Sequence, residues 1–362
     1  MKLLKYLLVA LVGLFALHNA YDIDEWHNLI SEMAPNASFI EDFDNNVREL
    51  LAEDPDYFDY VPKINFNCKV EPSPQKPTSV HKLRPGDINV VAALGDSLTA
   101  SLGSKAKTIL GLLIEYRGRS WSIGGDDSLE KLITLPNILK KFNPNLKGYT
   151  LGKDLMFLAK QGKGLNVAVS GQEANHIPDQ ARRLVQRLKE DKSVDFENDW
   201  KMVTLFIGGN DLCRYCDDMN KHSPKAYIND IQQGLDILYK QLPRTFVNLV
   251  SVLRVQDVKL LNKGLVCKTL HKMGCECAAY PKSAEAEKTL VSFQQAYQQG
   301  VEDLINSKRY DGRDDFTVVV QPFLKEMTIP RNAKDNLDFT FFAPDCFHLS
   351  TKGHSSAAIG LW

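Results

Sequence analysis

Five short runs, at 88–94, 165–169, 202–207, 246–253 and 316–320, are rich in Val, Ile or Phe and nearly free of charge. Longer amphipathic stretches separate them, and this alternation restricts the fold more than any other feature. Apolar runs of that length, without an in–out polar pattern, are expected of strands covered on both faces. The stretches 177–189, 224–241 and 284–307 place apolar residues at helical spacing with polar stripes opposite. Strands alternating with helices predict an α/β fold: a mostly parallel five-stranded sheet with right-handed crossovers and helices on both faces. A chain of 362 residues, 44% of them hydrophobic, is long enough to bury such a core.

The N-terminal part reads differently. Lys2 and Lys5 precede an apolar run over 6–17, and Asn19 and Ala20 follow it. That is the pattern of a secretory signal peptide at 1–20, short for a membrane span, with an uncleaved N-terminal anchor as the alternative. Residues 21–60 carry twelve acidic side chains and one basic, with Trp26, Leu29, Ile30 and Phe39 in a weak helical pattern. The run 71–78 has three prolines in eight residues and is expected to be extended. Residues 21–79 are therefore expected to form an acidic helical segment and linker, with the main domain at 80–362. Asn36-Ala37-Ser38 is a glycosylation sequon. Basic and acidic side chains number 44 and 45, which leaves no electrostatic footprint for nucleic acid or for anchoring on anionic lipid.

In an oxidising compartment the seven cysteines are expected to pair and leave one over. Cys213, Cys216, Cys267, Cys275 and Cys277 match no zinc-finger spacing, so no metal is expected. The local expectation is a Cys213–Cys216 bridge beside Asn210. Cys346 is expected to tie its turn to another cysteine. Gly124-Gly125-Asp126 and Gly162-Lys163-Gly164 lack the spacing of a phosphate-binding loop, so no nucleotide cofactor is expected.

The first apolar run ends in Gly95-Asp96-Ser97-Leu98-Thr99, which delivers a hydroxyl to the carboxyl end of a strand, where open parallel sheets bind ligands. Gly171, Asn210 and the segment Pro344-Asp345-Cys346-Phe347-His348 also follow predicted strands. A serine hydroxyl becomes a competent nucleophile when a neutral imidazole accepts its proton, and a carboxylate on the other ring nitrogen orients that imidazole. Asp345 and His348, three residues apart on one turn, supply both. The Ser97 and Gly171 N–H groups and the Asn210 amide are the candidate donors to an oxyanion. His354 has no acid at comparable spacing and is expected to pack behind the site, while His176 is expected to line the cleft. Leu98, Leu102, Trp121, Ile133, Leu135 and Phe142 are apolar candidates for the walls or lid of the site, the alternative being ordinary core packing.

Gly-Asp-Ser-Leu at 95–98, the glycine closing Asn166–Gly171, Gly-Gly-Asn-Asp at 208–211 and Asp-Cys-Phe-His at 345–348 occur in the block order of the GDSL, or SGNH, hydrolases. The longer strings around Ser97, Asn210 and His348 resemble the phospholipase B lineage of that superfamily. The resemblance implies a flavodoxin-like three-layer sandwich, with Ser97 as nucleophile, Asp345 and His348 as its acid–base pair, and Ser97, Gly171 and Asn210 as the oxyanion hole. It also implies removal of fatty-acyl chains from glycerophospholipids and lysophospholipids without metal or cofactor. The expected setting is a secreted monomer that touches a lipid interface transiently. The alternatives are a secreted esterase for short-chain or carbohydrate acyl esters, and an inactive lipid-binding glycoprotein. Relatives of this type continue past the helix in which the chain ends at Trp362, so either that helix is short or the C-terminus is incomplete.

Overall fold

The computed structural model describes residues 37–68, 73–158 and 162–362. The signal peptide, the Asn36 acceptor and residues 71 and 72 of the proline-rich run lie outside them. Four strands form the central sheet: β1 (Ile88–Gly95), β2 (Trp200–Phe206), β3 (Thr245–Val250) and β4 (Phe316–Gln321). All neighbours are parallel, in spatial order β1-β2-β3-β4.

The fifth run, 165–169, lies along the free side of β1 as an extended segment rather than a regular strand. It receives the Ala93 N–H at Leu165 O (3.0 Å) and returns the Val167 N–H to Ala93 O (2.9 Å) and the Val169 N–H to Gly95 O (3.2 Å). The regular sheet thus has four strands where five were expected. The ladder is interrupted where Gln180 takes the Gly95 N–H, and Arg117 caps the outer edge of the segment through the carbonyls of Asn166 and Ala168. Counting this segment second in chain order, the spatial order becomes 2-1-3-4-5, the flavodoxin-like arrangement with its switch point beside β1.

Helices cover both faces. Val90, Ala92 and Leu94 of β1 pack with α3 (Ile177–Glu190), α4 (Pro224–Gln241) and α6 (Ala284–Asn306). Val91 and Ala93 face the other way, towards α2 (Leu135–Phe142) and α7 (Thr351–Leu361). A register shift between Ile88 and Val90 puts Ile88 on the same face as Val91, where strict alternation would separate them.

Helix α1 (Ala37–Glu53) is acidic on one side and apolar on the other, and it packs on this body rather than extending from it. Phe39 and Phe43 cluster with Ala106, Leu112 and Val266, the last on α5 (Gly264–Gly274). Burying two phenylalanines contributes about 3–6 kcal/mol to that docking. Among the described residues no helix is long and apolar enough to cross a membrane.

Candidate active site

Ser97 opens a four-residue helical turn directly after β1, with Asp96 as its cap accepting the Leu98 N–H at 2.9 Å. Glycine is required just before it, because a Cβ on Gly95 would lie 2.5 Å from the Phe206 carbonyl oxygen on β2. The strand therefore runs close to its neighbour up to Gly95 and then turns sharply. Burial pushes the Asp96 carboxyl up to about 6.

The Pro344–His348 segment arrives from beyond β4. His348 Nε2 lies 2.9 Å from Ser97 Oγ, and Nδ1 lies 2.6 Å from Asp345 Oδ2. The other Asp345 oxygen accepts the N–H groups of Phe347 and His348, each at 3.0 Å. Burial alone would raise the Asp345 carboxyl, but His348 and these hydrogen bonds hold it below its ordinary value. The carboxylate thus fixes both the backbone of its turn and the tautomer of the ring.

The oxyanion candidates converge on the same place. Gly171 has φ +80°, a conformation that favours glycine, and a Cβ there would meet nothing within 4 Å because it would enter the open cleft. Among the described residues no protein acceptor takes the N–H of Ser97 or of Gly171. Asn210 spends one amide hydrogen on Gln172 O at 2.8 Å and keeps the other. Asp211, beside it, accepts the Ala174 N–H at 3.1 Å and so joins the Asn210 turn to the Gly171 loop. Burial pushes the Asp211 carboxyl up to about 7, with Glu173 adding to the shift.

Several residues that hold this arrangement carried little signal in the sequence. Gln180 occupies the buried apolar stripe of α3, three residues after Ile177, where a polar side chain needs partners. It accepts the Gly95 N–H (2.8 Å), donates to Gly95 O (2.8 Å) and donates to Gln172 Oε1 (2.7 Å). Glu115 and Arg117 form a fully buried pair at 2.7 Å, and Ser170 Oγ donates to Glu115 at 2.6 Å. That pair props up the segment carrying Gly171. Asn46 of α1 donates to Pro344 O at 2.8 Å and Tyr57 to Phe342 O at 2.7 Å, so both brace the Asp345–His348 turn. A glutamine within the apolar stripe at 180 is a readable clue; the other partners are distant in sequence and left none.

The cysteines correct one expectation. Cys213 is bonded to Cys275 and Cys216 to Cys277, so no Cys213–Cys216 bridge exists. Cys213 is buried at the end of the Asn210 helical turn while Cys216 has emerged to the surface, and the two side chains meet different partners. The Cys216, Asp217 and Cys277 grouping, which has the composition of a metal site, is occupied by that second disulfide. Cys346 is tied to Cys267 of α5, and Cys68 is free and exposed. Residues 267–277 thus brace both the Asn210 turn and the His348 turn covalently.

A cleft of about 460 Å³ opens over Ser97. Leu102, Leu112, Leu113, Met156, Leu270 and Met273 supply its apolar wall, and Glu173, His176, Arg214 and Lys221 its polar side. Glu173 is paired with Lys221 at 2.6 Å. Leu98 lines a separate apolar pocket of about 140 Å³ on the far side of Phe347. Trp121 and Ile133 are core residues beneath α2 and α7, Leu135 joins the same core from the start of α2, and Phe142 packs at the edge of that layer against Trp362, so none of them walls the cleft. The reason is topological: residues 120–142 cover the sheet face opposite α3 and α4. His354 is fully buried, accepts the Trp121 N–H at 3.3 Å and is pushed down to about 3 by burial, so it packs as a neutral ring.

The family model described as GDSL-like lipase/acylhydrolase matches residues 91–361. Among curated proteins, "Phospholipase B1, membrane-associated" of Homo sapiens is 46% identical over 298 residues, 81% of this chain and 20% of that protein. Its namesake in Mus musculus is 44% identical over 304 residues, 82% of this chain and 20% of that protein. The chain therefore spans about a fifth of the length of these relatives. With its match across three quarters of the sequence, the chain belongs to the GDSL-like lipase/acylhydrolase family.

Proposed function

We propose that this chain is a serine ester hydrolase that removes fatty-acyl chains from glycerophospholipids and lysophospholipids. The observation that carries the chemistry is the line Ser97 Oγ, His348 Nε2, His348 Nδ1, Asp345 Oδ2, with gaps of 2.9 and 2.6 Å at the floor of a largely apolar cleft. Ser97 Oγ attacks the acyl carbonyl carbon as His348 Nε2 takes its proton. The tetrahedral oxyanion is met by the N–H groups of Ser97 and Gly171 and the spare amide hydrogen of Asn210. His348 returns the proton to the departing glycerol oxygen, and an acyl-enzyme remains on Ser97. Water then attacks, giving its proton to the same imidazole, and the fatty acid leaves with Ser97 restored. Apart from that water, every step uses groups of this chain.

The substrate class is supported by the apolar wall of the cleft and by similarity to phospholipase B1 over most of the chain. Three disulfides suit an oxidising compartment and support a secreted or cell-surface setting. A fluorophosphonate probe tests the nucleophile: one label per chain is expected, abolished in Ser97→Ala, and an unlabelled parent protein overturns the hydrolase reading. Release of fatty acid from long-chain phosphatidylcholine, compared with a soluble short-chain ester, tests the substrate. Turnover of the short ester alone would favour an esterase for small acyl groups.

A further inference from the structure

Two loops that build the cleft wall also end in leucines that face solvent. A short antiparallel ribbon pairs Ile114 with Leu155 and Glu115 with Asp154, and the Met156 N–H extends it by donating to Leu113 O at 3.0 Å. Side chains alternate along such a ribbon. Glu115 is fully buried, which sets the inward face. Leu113 and Met156 share that face and line the cleft, so Ile114 and Leu155 point outward. Leu155 is 44% exposed, Leu158 after it 62%, and Leu110, at the start of the other loop, 46%. Large apolar side chains left exposed on the same loops that wall a cleft mark an interaction surface.

We propose that the Leu110, Leu155 and Leu158 tips dock on the surface of a zwitterionic phospholipid aggregate. An acyl chain then passes from lipid to the Leu113 and Met156 wall without crossing water. The inference rests on the phospholipid reading of the cleft. Continuity identifies the occupant, because the inner and outer leucines belong to the same two loops and what fits the cleft is what the tips would enter. Exposed Lys107 and Lys153 flank the tips, their ammonium groups over the rings of Phe58 (5.1 Å) and Tyr116 (5.9 Å). From there they can meet lipid phosphates while the tips insert. The near-equal charge count of 44 against 45 leaves apolar insertion, rather than attraction to anionic lipid, as the driving force.

The test uses the full chain carrying Ser97→Ala, so that vesicles stay intact, and sedimentation with sucrose-loaded phosphatidylcholine vesicles. Adding Leu155→Ser and Leu158→Ser is expected to lower the partition coefficient at least about ten-fold. Ile359→Ser, which alters an exposed apolar residue on α7, is expected to leave it unchanged. The surface assignment fails if the parent does not bind, if the double variant binds equally, if Ile359→Ser loses as much, or if high salt removes the binding. A protein partner in place of lipid would appear as the first of these outcomes. With Ser97 restored, turnover of a soluble short-chain ester by the double variant reports an intact fold. If the Ser97 protein binds vesicles through these leucines yet releases no fatty acid, the substrate reading falls while the surface stands.

Discussion

Replacing Gln180 with leucine removes a buried amide while nearly keeping its volume, so the loss is polar and the cavity small. In a strand the N–H and C=O of one residue point to the same side, and Gly95 turns both towards Gln180. The Gly95 carbonyl keeps the Val169 N–H at 3.2 Å, but the Gly95 N–H loses its acceptor, and Gln172 Oε1 loses its 2.7 Å donor. One orphaned buried N–H costs about 1–3 kcal/mol, and the lesser losses bring the expected destabilisation to about 2–4 kcal/mol. Thermal unfolding should show this as a fall of about 3–6 °C in Tm. The effect on rate has a separate route. Gln172 also holds Asn210 through its carbonyl at 2.8 Å, so a loosened Gln172 displaces a candidate oxyanion donor. Misplacement on the ångström scale costs up to about 100-fold, and kcat for a soluble ester is expected to fall about 10- to 100-fold with KM little changed. The assay is steady-state hydrolysis of that ester, scaled to the fraction of chains labelled by the fluorophosphonate. A folded Gln180→Leu protein with a lowered Tm and parental kcat would make Gln180 a purely structural residue. An unchanged Tm would refute the hydrogen-bond argument itself.

Asn210→Ala should keep fluorophosphonate labelling but slow turnover about 100- to 1000-fold, since it removes one donor to the developing oxyanion; parental turnover would overturn that role. Asp211 gives a pH signature. Its carboxyl is raised from 3.8 to about 7, so the stabilisation from holding its proton is complete below the unfolded value and lost as pH rises through about 7. Asp211→Asn should therefore gain stability relative to the parent between pH 5 and pH 8, with a ceiling of about 4 kcal/mol. Unfolding midpoints in urea at several pH values check this, and a pH-independent difference would mean that Asp211 is ionised in the fold throughout.

Much of the fold was legible because each element obeys a local rule. The runs at 88–94, 202–207, 246–253 and 316–320 became β1 to β4, and the stretches at 177–189, 224–241 and 284–307 became α3, α4 and α6, with small shifts at their ends. A strand buried on both faces has to be apolar throughout, and a covering helix has to be apolar on one stripe, so both patterns are written in composition. The run at 165–169 kept the position of a strand but not its regular ladder, because Gln180 took the Gly95 N–H that the ladder would use.

Which residue types stand at the carboxyl ends of the strands can be read along the chain, and the parallel topology those strands imply makes such ends neighbours. Ser97, Gly171 and Asn210 follow from that reasoning without a coordinate. What holds them emerges with the folded chain. The disulfide partners of Cys213 and Cys216 lie 62 and 61 residues away. The supports Asn46, Glu115 and Arg117 act across turns that no local pattern records. The tertiary structure also decided which apolar residues are wall and which are core: Trp121, Ile133 and Leu135 are as hydrophobic as Leu113 and Met156, and differ from them in the face of the sheet they reach. Hydrophobicity and period are properties of a segment, whereas partner and facing depend on what the rest of the chain brings alongside it.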